Sequence, residues 1–351
     1  MWYNEQNRLV RNKIVKKKLI LPFEEHPYSL MYHHCAFPMG VIQGNAKEDI
    51  TPWLCGKYIN CWLGKHRNFI NRFTLYYWDN WAVNDRVIFK QAISLYPDLY
   101  HSLYDDEVML LRKMLNLGYY PQGNYNEEHI PGKWAYQKEY FSHNYIIIGY
   151  DDIAKEFLSA GYLMDRKFQI FSIPYENMRQ AMKTLQTPKI EIHFWKYNSE
   201  IKFDLNLNRI VSELSDYLNS TTSLKMFSDN KFWGMEAMQQ LLQFYIDLGE
   251  EEADIDMRYT RGVMEHKFYM HMRMEYLLNH DFLKDTSYLD KAQQVYQMAE
   301  MVHMLGLKYN LTGNKTIVSK IQKIMKDMLF LEKEYLPAVL SELQNYKGDI
   351  K

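Results

Sequence analysis

Few side chains in this sequence could support covalent chemistry, and they sit in the first half of the chain. The segment Ser142-His143-Asn144-Tyr145-Ile146-Ile147-Ile148-Gly149-Tyr150-Asp151-Asp152 places an imidazole at the head of an apolar strand that ends in a Gly and acidic turn. An imidazole on a rigid strand suits a general base, because the ring must be held within hydrogen-bond reach of the group it deprotonates. Cys35, in His33-His34-Cys35-Ala36-Phe37-Pro38, precedes a proline that is compatible with the first turn of a helix. A thiol at a helix amino terminus is favoured as thiolate by the partial positive charge there, and a neighbouring imidazolium favours it further. Cys55 competes for the nucleophile role, since it lies early in the segment begun by Thr51-Pro52 and is followed by Gly56. Cys61, beside Trp62, reads as packing. A small buried hydrophobe is the commonest fate of any free cysteine.

A third member follows from hairpin geometry. With a turn centred near residues 152 to 154, antiparallel pairing sets His143 opposite residues 162 to 164, which brings Asp165 within reach as the group orienting the imidazole. Its alternative use is as a surface partner for Arg166 or Lys167. Asp151 and Asp152 lie at the far tip and read as turn residues. Glu265-His266 and His271 have a spacing of five, which turns two imidazoles apart on a helix, so no metal site is expected. No Gly-rich phosphate loop and no GxSxG elbow occur. Arg258, Arg261, Lys267 and Arg273 could grip a phosphate or else form an ion-paired helix face with Asp254, Asp256, Glu265 and Glu275. Trp53, Tyr58, Trp62, Tyr76, Tyr77, Trp78 and Trp81 could line a pocket for an elongated apolar or phenolic group or simply fill a core.

The elements that must position these residues form two blocks. Residues 19–21 read as a short strand stopped by Pro22, 24–44 as a loop running into a helix that holds Cys35, 52–63 as a helix, and 85–116 as helical material. From 141 to 197 the pattern is strand-like: 145–148, 156–158, 168–171 and 190–194, with a helix at 174–185 before the last strand. Beyond 203 the period becomes helical, through Leu207, Ile210, Val211, Leu214 and Leu218, then over 232–248, 258–279, 289–310 and 316–344. The fold class is therefore α+β, an antiparallel sheet with helices over 1–200 followed by an all-helical domain over 201–351. Gly 15 and Pro 10 make up only about 7 % of 351 residues, consistent with long helices.

Composition narrows the partners. A net charge of −1 offers no long-range attraction for phosphate backbones, and Lys16-Lys17-Lys18 is too short a basic run, so nucleic acid is not expected. No stretch approaches the roughly 18 uninterrupted apolar residues that a membrane-spanning helix needs, and charges occupy the amino terminus where a secretory signal would be apolar. Three cysteines confined to the first 61 residues form no disulfide framework, so a cytoplasmic setting is expected.

Several of these features together resemble the butirosin-type acyltransferase family of natural-product pathways, similar also to the cysteine-protease-like, amide-forming enzyme of closthioamide-type assembly. They are His143 with Gly149-Tyr150-Asp151-Asp152, the upstream His34-Cys35, the Phe171-Ser172-Ile173-Pro174-Tyr175-Glu176 step into a helix, and the helical second half. The resemblance covers mainly residues 19 to 195. It implies a papain-like sheet domain with the helical domain as lid or partner-binding element. It also implies an acyl group moved from a carrier-protein phosphopantetheine thioester onto a cysteine, here matched by Cys35 with His143 as base, and then onto a small-molecule amine. No bound cofactor is expected; the partner is an acyl or peptidyl carrier protein, and a homo-oligomer is compatible with the sequence. A cysteine peptidase or thioesterase, or a noncatalytic acyl-carrier-binding scaffold, are the alternatives.

Overall fold

The computed structural model describes residues 17–64, 73–75, 89–96, 99–100, 102, 106–186, 192–223, 230–248 and 254–346. Its elements run β1 (Lys18–Ile20), α1 (His33–Asn45), α2 (Thr51–Leu54), β2 (Cys61–Gly64), β3 (Phe73–Leu75), β4 (Phe89–Leu95), α3 (Glu107–Asn116), β5 (Tyr120–Asn126), β6 (Ser142–Asp151), β7 (Glu156–Tyr162), β8 (Phe168–Pro174), α4 (Tyr175–Lys183) and β9 (Ile192–Tyr197). The helical second half follows as α5 (Leu207–Asn219), β10 (Lys231–Trp233), α6 (Gly234–Leu248), α7 (Met257–Asn279), α8 (Ser287–Thr312) and α9 (Lys315–Gln344). The class is α+β with an antiparallel sheet. The chain divides into two compact units, neither of them continuous: residues 1–27, 37–45 and 82–199 form one, and 28–36, 46–81 and 200–351 the other. The expected cut at residue 200 thus holds only for the last part of the chain, because the segments around Cys35 and Cys55 are built into the unit that contains the long helices.

The first unit is a seven-stranded antiparallel sheet in the order β4-β9-β5-β6-β7-β8, with β1 added to the outer half of β6. Its core lies under α3 and α4. Leu110, Leu111, Met114 and Leu115 of α3, with Met178, Ala181 and Met182 of α4, meet Tyr145, Ile147, Tyr150, Phe157 and Ile173 of the sheet. Tyr145 and Ile147 share a parity and Tyr150 breaks it; the register shift between Ile147 and Gly149 rotates the strand so that both sets face the same core. Gly149 is required there, since a Cβ would lie 2.4 Å from the Leu19 carbonyl oxygen of β1. α3 starts on Asp106, whose carboxylate accepts from Val108 N at 3.0 Å.

Two expected helices are not formed as read. Residues 89–95 are strand β4, in which Ile93 and Leu95 recur at the two-residue period of a strand and a register shift between Phe89 and Gln91 sets Phe89 apart from them. Helix α2 stops at Leu54, and Tyr58 takes a left-handed φ of 54° before strand β2 begins. β5 was not expected at all, because Gln122, Gly123 and Asn124 are poor strand formers. Residues 85–88, Ile190 and Glu191 lie outside the described residues.

In the second unit α6, α7, α8 and α9 pack around Val263, Met270, Met274, Val302, Ile321, Met328, Leu336 and other apolar side chains, beside a small sheet in the order β10-β2-β3. Asn206, Asp256 and Asn314 each cap a helix by accepting a backbone N–H. Among the described residues no helix is long and apolar enough to cross a membrane.

Candidate functional site

His143 lies at the head of β6, as expected, and its partner comes from β5. Pairing sets Tyr125 opposite His143 and Asn126 opposite Ser142, so the short turn at Glu127–His129 leaves the sheet beside the imidazole. Two backbone anchors fix that turn: Glu127 N donates to Phe141 O at 2.7 Å, and Phe141 N donates to Asn126 Oδ1 at 3.2 Å. His143 Nδ1 then lies 2.8 Å from Glu127 Oε1, which also accepts from Tyr145 Oη. The Glu127 side chain is 3 % exposed and that of His143 is 40 % exposed.

The electrostatics define the protons. Burial pushes the Glu127 carboxyl up, but the bonds from His143 and Tyr145, together with the charges of His143 and Lys133, outweigh it and hold the group below the ordinary carboxylate range. An ionised carboxylate only accepts, so His143 Nδ1 carries the hydrogen and proton exchange falls to Nε2. Lys133 is buried, donates to Tyr162 O, and has its Nζ over the rings of Tyr145 at 4.3 Å and Phe171 at 4.8 Å. Burial lowers its pKa to about 8, with Glu127 opposing the shift. Phe141 lies 5.6 Å from the imidazole ring and Trp134 5.3 Å from Phe141, both substantially exposed. A half-open imidazole oriented by a buried carboxylate can accept a proton from a nucleophile and return it to a leaving group, beside an aromatic platform for an apolar substrate.

Asp165 does not orient His143. The hairpin register is close to that expected, with Ile146 opposite Ala160, but β7 ends at Tyr162 and Asp165 lies in the following turn. Its carboxylate accepts from Lys167 N at 3.0 Å and Gln169 Nε2 at 3.1 Å. Asp151 is the last residue of β6 and Asp152 the first of the turn: Asp151 accepts from Ile153 N and Ala154 N, and Asp152 binds Arg112 and Tyr175 Oη.

All three thiols are buried. Cys35 occupies the first turn of α1, which continues without a break through Pro38 and Gly40. It is 3 % exposed, and its thiol is pushed well above the ordinary range by burial and then by the carboxylate of Glu265, against a bond from Ser29. Glu265 clamps that segment, accepting from Ser29 Oγ at 2.8 Å and Leu30 N at 2.7 Å while paired with Arg261 Nε at 2.8 Å. Burial pushes the thiols of Cys55 and Cys61 up to about 12. The structure thus sets Cys35 in the helical unit and His143 in the sheet unit, and places the field of the Glu265 carboxylate on the Cys35 thiol.

The basic set on α7 is not a phosphate clamp. Lys267 is fully buried on Glu332 and Tyr217 Oη, Arg273 donates to Cys55 O and Lys57 O, and Arg258 is paired with Asp256. His266 is buried with Nε2 2.9 Å from Ile59 O. Among the described residues no group of three His, Cys, Asp or Glu could hold a metal ion. Of the aromatic segment, Tyr58 stacks on Tyr269 and Trp53 meets Phe203; Tyr76, Tyr77, Trp78 and Trp81 lie outside the described residues.

Glu127, Lys133, Trp134 and Phe141 were not singled out by sequence. Recognising β5 as the neighbour of β6 would have located Glu127, two residues past the partner of His143. No protein-family model matches the chain and no curated protein matches it.

Proposed function

We propose that the protein is an acyltransferase that forms an amide from a thioester, with His143 as general base and Glu127 as the residue that positions it. The observation that carries this reading is the 2.8 Å contact between a half-exposed imidazole and a buried carboxyl group. The substrate class, an acyl group on a carrier-protein phosphopantetheine and a small-molecule amine, rests on the resemblance described above, as does a papain-like ancestry for the sheet. With the thiols buried, the geometry favours direct transfer. His143 Nε2 takes a proton from the amine as its nitrogen adds to the thioester carbonyl; the carbon–sulfur bond breaks, and the imidazolium returns the proton to the departing thiolate. One amide bond forms and one thioester bond is lost. Trp134 and Phe141 hold the acyl chain, and the bonds from His143 and Tyr145, with a smaller contribution from Lys133, favour the charged form of Glu127. Aminolysis outruns hydrolysis when the amine is held at high effective molarity beside the carbonyl.

A second reading, transfer through a Cys35 acyl-enzyme, is favoured by the position of that residue in the first turn of α1. An acyl thioester and a panel of amines, assayed by product mass spectrometry and intact-protein mass, separate the two. Direct transfer expects amide from wild type, Cys35→Ala and Cys55→Ala, loss in His143→Ala, and no protein adduct. Loss in Cys35→Ala with an acyl adduct on that residue establishes the covalent route. Free acid as sole product makes the protein a hydrolase, and substrate binding with no turnover in any variant makes it a scaffold.

A further inference from the structure

In the helical unit α8 and α9 form a hairpin joined at Gly313 and Asn314, and the two helices leave a shallow groove of about 350 Å³ between them. Its floor is apolar. Met298, Met301 and Leu305 of α8 recur at the three- and four-residue spacing of a helix face, and Ile324 of α9 completes it. The core-facing side of α8 is already used, through the buried Val295, Ala299 and Val302. Met301 is 49 % exposed, and Met304, three residues on, is 63 % exposed. Contiguous exposed side chains of this size mark interaction surfaces, and methionines let such a surface adapt to a partner.

The rim decides what the partner is. Lys320 and Lys323 line the groove, and Lys308 is exposed one turn beyond Leu305 on α8. None of the three makes an ion pair among the described residues, whereas Lys291 of α8 is paired with Glu334 and the buried Lys267 with Glu332. Asp327 is the acidic side chain that also lines the groove. An apolar floor under a surplus of unpaired ammonium groups is complementary to an amphipathic helix with an apolar row and flanking carboxylates. Two copies of this chain meeting through the groove would bring lysine rims together, which opposes self-association. The groove is concave, which suits one row of helix side chains better than a bilayer surface.

We propose that the groove between α8 and α9 docks an acidic amphipathic helix of a partner protein. The proposal does not depend on the acyl-transfer reading.

The test uses the full chain and two fluorescent helical peptides with the same leucine row, one flanked by glutamates and one by lysines. Anisotropy titrations should show the glutamate peptide binding at least about tenfold tighter, with the difference shrinking at high salt. Lys320→Glu combined with Lys323→Glu should reverse the preference, and Met301→Glu should remove binding of both peptides. These positions are at the surface, and circular dichroism verifies that each variant folds. Equal affinity for the two peptides, or no binding, overturns the proposal. So does a wild-type dimer that Met301→Glu dissolves, which makes a second copy the occupant, or binding to phosphatidylserine vesicles that the glutamate peptide fails to displace.

Discussion

At the scale of single residues, Glu127 and Glu332 show two uses of a buried carboxylate. Glu127 is held below the ordinary range by His143, Tyr145 and Lys133 against its own burial. A carboxyl whose folded pKa is depressed contributes stability that is fully present above its unfolded value, near 4.3, and lost as pH falls through the folded value. Urea unfolding from pH 6 down to pH 3 should therefore show wild type losing its advantage over Glu127→Gln progressively in the acid limb. A gap that stays constant with pH would remove Glu127 as an ionised partner of His143. The same substitution should lower the transfer rate by about 100-fold or more, the scale of a misoriented general base. Glu332 closes a buried pair: it accepts from Lys267 Nζ at 2.7 Å and from Tyr217 Oη at 3.0 Å, with both charged side chains wholly buried. Glu332→Gln leaves an ammonium in the core and should cost on the order of 3–5 kcal/mol, whereas Lys267→Met with Glu332→Leu should recover most of it. Chemical denaturation of the three proteins measures the difference, and a Glu332→Gln variant as stable as wild type contradicts the burial of the pair.

Among the elements, α1 is positioned by what it lacks. A Cβ on Gly44 would lie 2.5 Å from Phe23 N and 2.6 Å from Phe23 Cα, so the helix approaches backbone that has no rotamer to yield. Gly44→Ala should destabilise by about 1–3 kcal/mol. Gly56→Ala, whose nearest neighbour would be Arg209 Cδ at 3.5 Å, should stay within about 0.5 kcal/mol. Urea midpoints decide, and equal effects would disprove the close approach at Phe23. The same elements show which features are legible in sequence. The long helices fall within about two residues of their expected limits, because each repeats an apolar stripe over many turns and is bounded by Asn, Asp or Gly. β6, β7 and β8 are legible as apolar runs between turns. β5 is not, since its inner residues are Gln122, Gly123 and Asn124, held by side-chain bonds such as Gln122 Nε2 to Asn144 Oδ1 at 2.6 Å. That omission removed Glu127 from view and left Asp165 as the expected orienter. Lys133 is likewise illegible, because a lysine in sequence carries no sign that its ammonium lies over the rings of Tyr145 and Phe171.

For the whole molecule, the consequential fact is that the chain leaves each unit and returns. A periodicity that changes near residue 203 suggests a single boundary, but packing partners are set by contacts distant in sequence, which periodicity does not encode. Segment 46–64 belongs with residues beyond 200: β2 pairs with β10, Tyr58 stacks on Tyr269 at 4.6 Å, Ile59 O lies 2.9 Å from His266 Nε2, and Arg273 donates to Cys55 O and Lys57 O. Segment 28–36 is tied in by the bonds from Ser29 and Leu30 to Glu265. A fragment ending at residue 200 keeps Leu54, Tyr58, Ile59 and Leu63 but loses these partners, so apolar surface that is buried in the full chain meets water. The complementary fragment keeps Arg273, whose guanidinium is fully buried, without the two carbonyls that satisfy it. Neither fragment should fold cooperatively alone. Fragment 1–200 should bind an apolar dye and lose near-ultraviolet circular dichroism, while fragment 201–351 should keep helical signal but unfold over a broad range of urea. A fragment 1–200 that is monomeric, binds no dye and unfolds in one sharp transition would mean that segments 28–36 and 46–64 do not need the helical unit, and the divided architecture would give way to two consecutive domains.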